Sequence, residues 1–173
     1  MFTLVIGGAA SGKSEYAESL VLGLDGPRVY LAAMEPFGLE AKARIARHRA
    51  MRASKGFETV EKFTDVGSAS LPAGANVLLE DLGNLTANEL YSPGGGGGEA
   101  VLSGVEMLMA WCRHLTVVTN EVFSGGTDYA GDTLRYLETL GAVNCRLAER
   151  ADRVVEVICG IPRIRKEKNH VDP

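Results

Sequence analysis

Positions 4–20, "LVIGGAASGKSEYAESL", carry an apolar run, a glycine-rich turn and then a helical pattern. The turn fits G-x-x-x-x-G-K-[ST], with Gly7, Gly12, Lys13 and Ser14 in the fixed positions. Glycines at 7, 8 and 12 let the backbone wrap closely with its N–H groups turned inward, and the following helix offers its positive end. In such a loop Lys13 reaches the β- and γ-phosphates and Ser14 ligates Mg²⁺. The alternative is an ordinary glycine turn before a helix. The motif's place between the first strand and the first helix favours phosphate binding, with Lys13 a surface-reaching side chain. The reaction type stays open.

A magnesium ion also needs a carboxylate at the end of another strand. "NVLLED" supplies Glu80 and Asp81. Adjacent strand residues face opposite ways, so one of them serves, Glu80 rather than Asp81. Otherwise both acids cap the next helix. His48 lies in "KARIARHRAMR", among Lys42, Arg44, Arg47, Arg49 and Arg52. On composition alone this is a solvated basic helix face. On the functional reading the arginines grip phosphates while a neutral His48 imidazole attacks one of them, its neighbouring cations keeping it neutral. Asn120 and Glu121 end the apolar "VVTNEV", where open α/β sheets bind ligands; a helix cap by Asn120 explains that placement equally well. His114 and His170 have no supporting cluster. Trp111 and the tyrosines read as packing.

The elements that must position these groups alternate. Strands are expected at 2–6, in "RVYLAAM", in "FETVEKF", in "NVLLED" and in "HLTVVTNEV", and a final pair in "DRVVEVICGIPRIRK" turns at Cys159-Gly160. Helices are expected over 13–24, from 39 to about 54, for a turn or two in "NLTANELY", over 99–112 and through "DYAGDTLRYLETLGAVNCRLAERA". The fold class is α/β, a mostly parallel sheet with helices on both faces and an antiparallel edge. "SPGGGGGEA" reads as a flexible surface loop or a lid, and the polar tail from 167 as frayed.

The chain has 173 residues, a size suited to one domain spanning 1–173. Its formal net charge of −4 provides no global basic field for nucleic acid or anionic lipid, so an anionic ligand needs a local basic site. Cys112, Cys145 and Cys159 are odd in number and far apart, which argues for a reducing compartment, against a disulfide framework or zinc site, and for small buried hydrophobes. "MFTLVIGG" has no basic leader and no segment reaches the roughly 18 apolar residues of a membrane helix. A soluble, cytoplasmic protein is expected.

"LVIGGAASGKSEYAE", "RVYLAAM", "RIARHRAMR…FETVE", "VLLEDLGNLTANEL", "VVTNEV" and "VNCRLAERADRVVEVICGIP" follow one another as in the bifunctional adenosylcobinamide kinase/adenosylcobinamide-phosphate guanylyltransferases, which the chain resembles over nearly its whole length. The resemblance implies a RecA-like P-loop domain, often assembled as a homotrimer. It implies phosphorylation of the aminopropanol hydroxyl of adenosylcobinamide by ATP or GTP, then transfer of GMP from GTP to that phosphate with release of pyrophosphate. It implies that a histidine of the basic helix carries GMP, here His48. It places the nucleotide on Gly7, Gly8, Ala9, Ala10, Ser11, Gly12, Lys13 and Ser14, with Arg49, Arg52, Glu61 and Glu80, and Mg²⁺ on Ser14 and Glu80. The rival readings are a simple P-loop small-molecule kinase without a covalent step, and a nucleotide-dependent switch.

Overall fold

The computed structural model describes residues 1–35, 50, 52–125 and 128–168. His48 and Arg49, with most of the helix expected between 39 and 54, lie outside the described residues, as does His170. Strands β1 (Phe2–Gly7), β2 (Arg28–Ala32), β3 (Phe57–Glu61), β4 (Asn76–Glu80), β5 (His114–Asn120), β6 (Arg153–Ile158) and β7 (Ile161–Glu167) form one sheet in the order β3-β2-β4-β5-β1-β6-β7. All neighbours are parallel except β6 and β7, which form the antiparallel edge.

The central strands are apolar on both sides because helices cover both faces, as buried parallel strands require. Four α-helices are described: α1 (Lys13–Leu22), α2 (Leu82–Tyr91), α3 (Gly97–Trp111) and α4 (Gly131–Arg150). On one face Leu4, Leu31, Leu79 and Val117 pack with Leu82 and Leu85 of α2, Val105 and Leu108 of α3, and Leu140 and Leu147 of α4. On the other, Val5, Leu78, Val118 and Val155 pack with Ala17 and Val21 of α1. Leu4 and Val5 are neighbours in sequence yet belong to opposite cores, the period-two alternation of a strand.

Several expectations need correction. Helix α1 stops at Leu22, closed by the Gly23 N–H on Ser19 O, rather than running to Leu24. Helix α2 is 10 residues long, not a turn or two, because Leu82 and Leu85 are core residues and Asp81 caps it. The glycine run is not an open loop. Glu89 is buried and accepts from the N–H groups of Asp65 (2.6 Å) and Gly96 (2.8 Å) through its two carboxylate oxygens. A Cβ on Gly95 would sit 2.3 Å from the Glu89 carbonyl oxygen, so this glycine permits a close backbone approach, and α3 starts at Gly97. Trp111 does not pack in the core: it is 75% exposed and, with Met107, borders a groove of about 380 Å³ against residues 67–73. Cys145 and Cys159 are exposed; Cys112 is half-buried, and burial pushes its thiol up to about 11.

Candidate active site

The glycine loop leaves β1 at the C-terminal edge of the sheet and turns through a Ser11 N–H to Gly8 O bond of 3.3 Å into α1. Ala10 (φ 54) and Gly12 (φ 86) both adopt left-handed backbone. At Gly7 a Cβ would lie 2.4 Å from Ser11 Oγ and 2.7 Å from the Val157 carbonyl oxygen, so only glycine fits. The buried Ser11 hydroxyl has no hydrogen-bond partner among the described residues. The loop is braced by the β6–β7 turn: Gly160 N–H donates to Ser11 O at 2.8 Å, and a Cβ on Gly12 would be 3.1 Å from Gly160 Cα. The sequence marks Cys159-Gly160 as a hairpin turn but carries no signal that it supports the loop.

Lys13 corrects the expectation of a surface-reaching side chain. It opens α1, is buried at 9% exposure, and its Nζ folds back onto Gly8 O at 3.1 Å. That bond keeps the ammonium inside the loop, where a phosphate oxygen could replace the carbonyl. Ser14, the second residue of α1, donates through Oγ to Glu80 Oε1. The second Glu80 oxygen accepts from the Tyr30 hydroxyl at 2.9 Å. Register explains this meeting: Tyr30 stands beside Leu78 and Ala32 beside Glu80, which puts Tyr30 and Glu80 on the α1 face. Burial pushes the Glu80 carboxyl above the ordinary glutamate range, opposed by the bonds from Ser14 and Tyr30 and reinforced by the Asp81 and Glu18 charges. Burial and then the Glu80 charge hold the Tyr30 hydroxyl far above the usual tyrosine value, so it remains a donor.

Arg52 is buried, with its guanidinium carbon 3.6 Å from the centre of the Tyr30 ring, and Phe57 meets that ring edge-on at 6.3 Å. Lys55 is paired with Glu18 of α1. Thus the described end of the basic segment, residues 52–55, is anchored beside Glu80. Glu61 ends β3 opposite Ala32 and is more exposed than this group. Tyr30, read from sequence as packing, is a member of the site; a hydroxyl within an otherwise apolar strand was the available signal.

Asp81 has a different task from Glu80. Its Oδ1 accepts from Asn84 N–H at 2.6 Å and its Oδ2 from Asn84 Nδ2 at 3.0 Å, capping α2. Asn120 does not cap a helix: it ends β5 beside Gly7, and the Glu121 N–H donates to Gly7 O at 3.0 Å. Burial and the Asp81 charge raise the Tyr136 hydroxyl pKa. His114 starts β5 at the opposite edge of the sheet, its imidazole pKa lowered by burial and then by the N-terminal and Arg113 charges.

Among the described residues no three His, Cys, Asp or Glu side chains converge to hold a metal. The donor chemistry nevertheless fits Mg²⁺, which takes few protein oxygens and completes its shell with phosphate and water. Ser14 Oγ and the half-buried Glu80 carboxylate form such an oxygen pair at the mouth of the loop.

A phosphate-type loop opening a helix at the C-terminal edge of a mainly parallel sheet, facing an acidic strand end, defines a P-loop nucleotide-binding protein. The backbone is similar to flagellar accessory protein FlaH from Methanocaldococcus jannaschii (TM-score 0.53, 10% identity, 96% of this chain and 78% of that one). It is similar also to a prototypical ATPase from the type III secretion system of pathogenic bacteria (TM-score 0.51, 12% identity, 95% of this chain and 56% of that one). The chain belongs to the cobinamide kinase / cobinamide phosphate guanyltransferase family, which it matches over residues 3–164. This is a family of transferases. The chain is 31% identical to the bifunctional adenosylcobalamin biosynthesis protein CobU of Escherichia coli K12, covering 93% of this chain and 97% of that one. It is 30% identical to the corresponding CobP of Pseudomonas aeruginosa over 94% and 95% of the two chains.

Proposed function

We propose that residues 1–173 act as one domain that phosphorylates adenosylcobinamide with ATP or GTP and then transfers GMP from GTP to the resulting phosphate, making adenosylcobinamide-GDP. The observation that carries this reading is the Ser14–Glu80 pair at the mouth of a glycine loop braced for a polyphosphate, in a chain of this family. The loop backbone from Gly7 to Gly12 wraps the phosphates, and Lys13 exchanges its bond to Gly8 O for one to a β- or γ-oxygen. Ser14 and Glu80 would hold Mg²⁺, which when bound neutralises charge on the phosphates. Tyr30 holds the second Glu80 oxygen. Arg52, with Arg49 and Glu61, completes the nucleotide's surroundings.

For the second reaction His48 is the nucleophile. Its imidazole nitrogen forms a bond to the α-phosphorus of GTP while the bond from that phosphorus to the α,β-bridging oxygen breaks. Pyrophosphate leaves with the electron pair and the imidazolium proton goes to water. The acceptor phosphate then displaces the imidazole, so two displacements replace one. Anchoring of residues 52–55 beside Glu80 supports delivery of the basic segment to this site. The protein works in the cytoplasm as a homo-oligomer, a trimer; among the described residues no helix is long and apolar enough to cross a membrane.

Intact-mass measurement after incubation with GTP and Mg²⁺ tests the reading. One GMP should be added, with pyrophosphate released, and the adduct should be cleaved by acid but not base, because protonation makes the imidazole a good leaving group. His48→Ala should remain unlabelled while retaining kinase activity. An adduct on His48→Ala would remove the assignment. Kinase activity without any adduct on the unmodified protein would favour the simple kinase.

A further inference from the structure

Gly83, the second residue of α2, is buried, and the space where a side chain would begin is ringed by polar groups. A Cβ there would lie 2.9 Å from Asn120 Nδ2, 2.9 Å from the Tyr136 hydroxyl and 3.2 Å from Asp81 Oδ1. The three come from different elements: the cap of α2, the end of β5 and the second turn of α4. All three are half-buried, so they are within reach of a ligand. Among the described residues neither the Asn120 amide nor the Tyr136 hydroxyl makes a side-chain hydrogen bond. Two half-exposed donors without side-chain partners and one carboxylate oxygen therefore converge on Gly83, packed so closely against it that a ligand would meet them on the side away from the glycine.

We propose that Asp81, Asn120 and Tyr136 form, over Gly83, the subsite that holds the hydroxyl of the phosphoryl acceptor; this rests on the kinase reading above. The place is suitable. Asn120 is the strand neighbour of Gly7, the first glycine of the loop, and Asp81 follows Glu80, which bonds Ser14. Helix α1, which carries the loop, packs on one face of the sheet, whereas α2 and α4 pack on the other. Nucleotide and acceptor therefore approach the same C-terminal edge from opposite faces and meet over β1 and β5.

The polar groups also select the ligand class. A hydroxyl has one hydrogen to give and two lone pairs. The Asp81 carboxylate accepts the hydrogen, the Asn120 amide donates to one lone pair, and the other is left for phosphorus. Tyr136 donates to the polar arm that carries the hydroxyl. A phosphate oxygen would meet the Asp81 carboxylate, which makes this a site for a neutral alcohol and distinct from the nucleotide's own contacts.

The test uses Gly83→Ala, Asn120→Ala and Tyr136→Phe in the full chain. Alanine suits a helix, and its methyl would press on side-chain ends, those of Asn120 and Tyr136 and the Asp81 cap oxygen at 3.2 Å, rather than on backbone, so Gly83→Ala should fold. Adenosylcobinamide binding is measured by ultrafiltration with corrinoid absorbance, its KM by phosphoryl transfer, and nucleotide binding with a fluorescent GTP analogue. Gly83→Ala and Asn120→Ala should each weaken corrinoid binding and raise its KM at least fivefold, and Tyr136→Phe to a smaller extent, with nucleotide affinity changed less than twofold. Unchanged corrinoid binding in Gly83→Ala and Asn120→Ala, or equal loss of corrinoid and nucleotide, would overturn the proposal. If the unmodified protein binds the corrinoid but phosphorylates nothing, the kinase reading falls and the subsite is decided by the binding constants alone. If it binds no corrinoid, both fall.

Discussion

The Tyr30 hydroxyl donates a 2.9 Å hydrogen bond to Glu80 Oε2 while Ser14 holds Oε1, so both oxygens of the site's half-buried carboxylate are fixed from separate elements. Tyr30→Phe keeps the ring against Arg52 and Phe57 but leaves one carboxylate oxygen without its donor. The variant should lose about 1–3 kcal/mol of stability and require more Mg²⁺ for half-maximal kinase rate. Thermal melting and a metal titration check both; an unchanged metal dependence would remove Tyr30 from the site.

Gly7→Ala should abolish measurable nucleotide binding while leaving a folded protein of lower Tm. The added methyl meets the Val157 carbonyl at 2.7 Å, which is backbone of β6, a strand paired on both sides, so the loop has to move rather than the strand. Gly23→Ala, beyond the loop at the end of α1, is the control, because the Cβ it would add meets only ordinary contacts at 3.6 and 3.7 Å. Fluorescent nucleotide titration should separate the two by at least tenfold.

Lys13→Met keeps an apolar stem in the buried position and removes the ammonium. Activity should fall by about 10²-fold or more, the scale of a lost transition-state contact, with Tm within a few degrees of the unmodified protein. Near-normal kinase rates would displace Lys13 from the phosphate site.

Asp152 ties three strands: its Oδ2 accepts from Phe2 N–H at 2.7 Å and its Oδ1 from Lys168 Nζ at 3.1 Å, while backbone bonds join residue 152 to Phe2 and Lys168. Burial alone would raise its pKa, but the Phe2 and Lys168 bonds and the Lys168 and N-terminal charges outweigh it and hold the carboxyl below the usual aspartate range. A depressed folded pKa stabilises above the unfolded value, about 4, and that stabilisation disappears as pH falls through the folded value. Asp152→Asn should therefore lower Tm at pH 7, and the gap to the unmodified protein should close below pH 4. A gap of constant size across that range would refute the linkage.

Gly95→Ala should destabilise the fold by about 1–3 kcal/mol, since overpacking against backbone cannot be relieved by a rotamer change. The Cβ would stand 2.3 Å from the Glu89 carbonyl oxygen. Denaturant melts would check this; a neutral effect would restore the reading of 92–100 as a flexible loop.

Much of the architecture was legible because local patterns report it. Apolar runs ending in glycine or acid gave the strands, their alternation with helices gave a parallel sheet, and Cys159-Gly160 gave the closing hairpin. Errors arose where one residue's environment depends on a distant partner. The glycine run looked unstructured because no local feature reveals that Glu89, buried under it, accepts from Gly96 and Asp65. Trp111 looked like core because size and apolarity suggest burial, yet as the last residue of α3 it is 75% exposed while Leu108, one turn earlier, takes the core position.

At the site, the loop residues Gly7, Gly12, Lys13 and Ser14 and the acidic strand end could be chosen from sequence, because a phosphate loop is contiguous and its spacing is fixed by backbone geometry. Sequence also favoured Glu80 over Asp81 as the residue facing the loop, since alternation lets only one of the two do so and the family resemblance falls on Glu80; a helix cap by both acids was the alternative. Strand order and register decided the rest. Placing β2 beside β4 brings Tyr30 to Glu80, 50 residues away; placing β1 between β5 and β6 brings Asn120 and Gly160 against the loop. Which strands become neighbours is a property of the whole sheet, set by burying every apolar face at once, and no short stretch of the chain contains it.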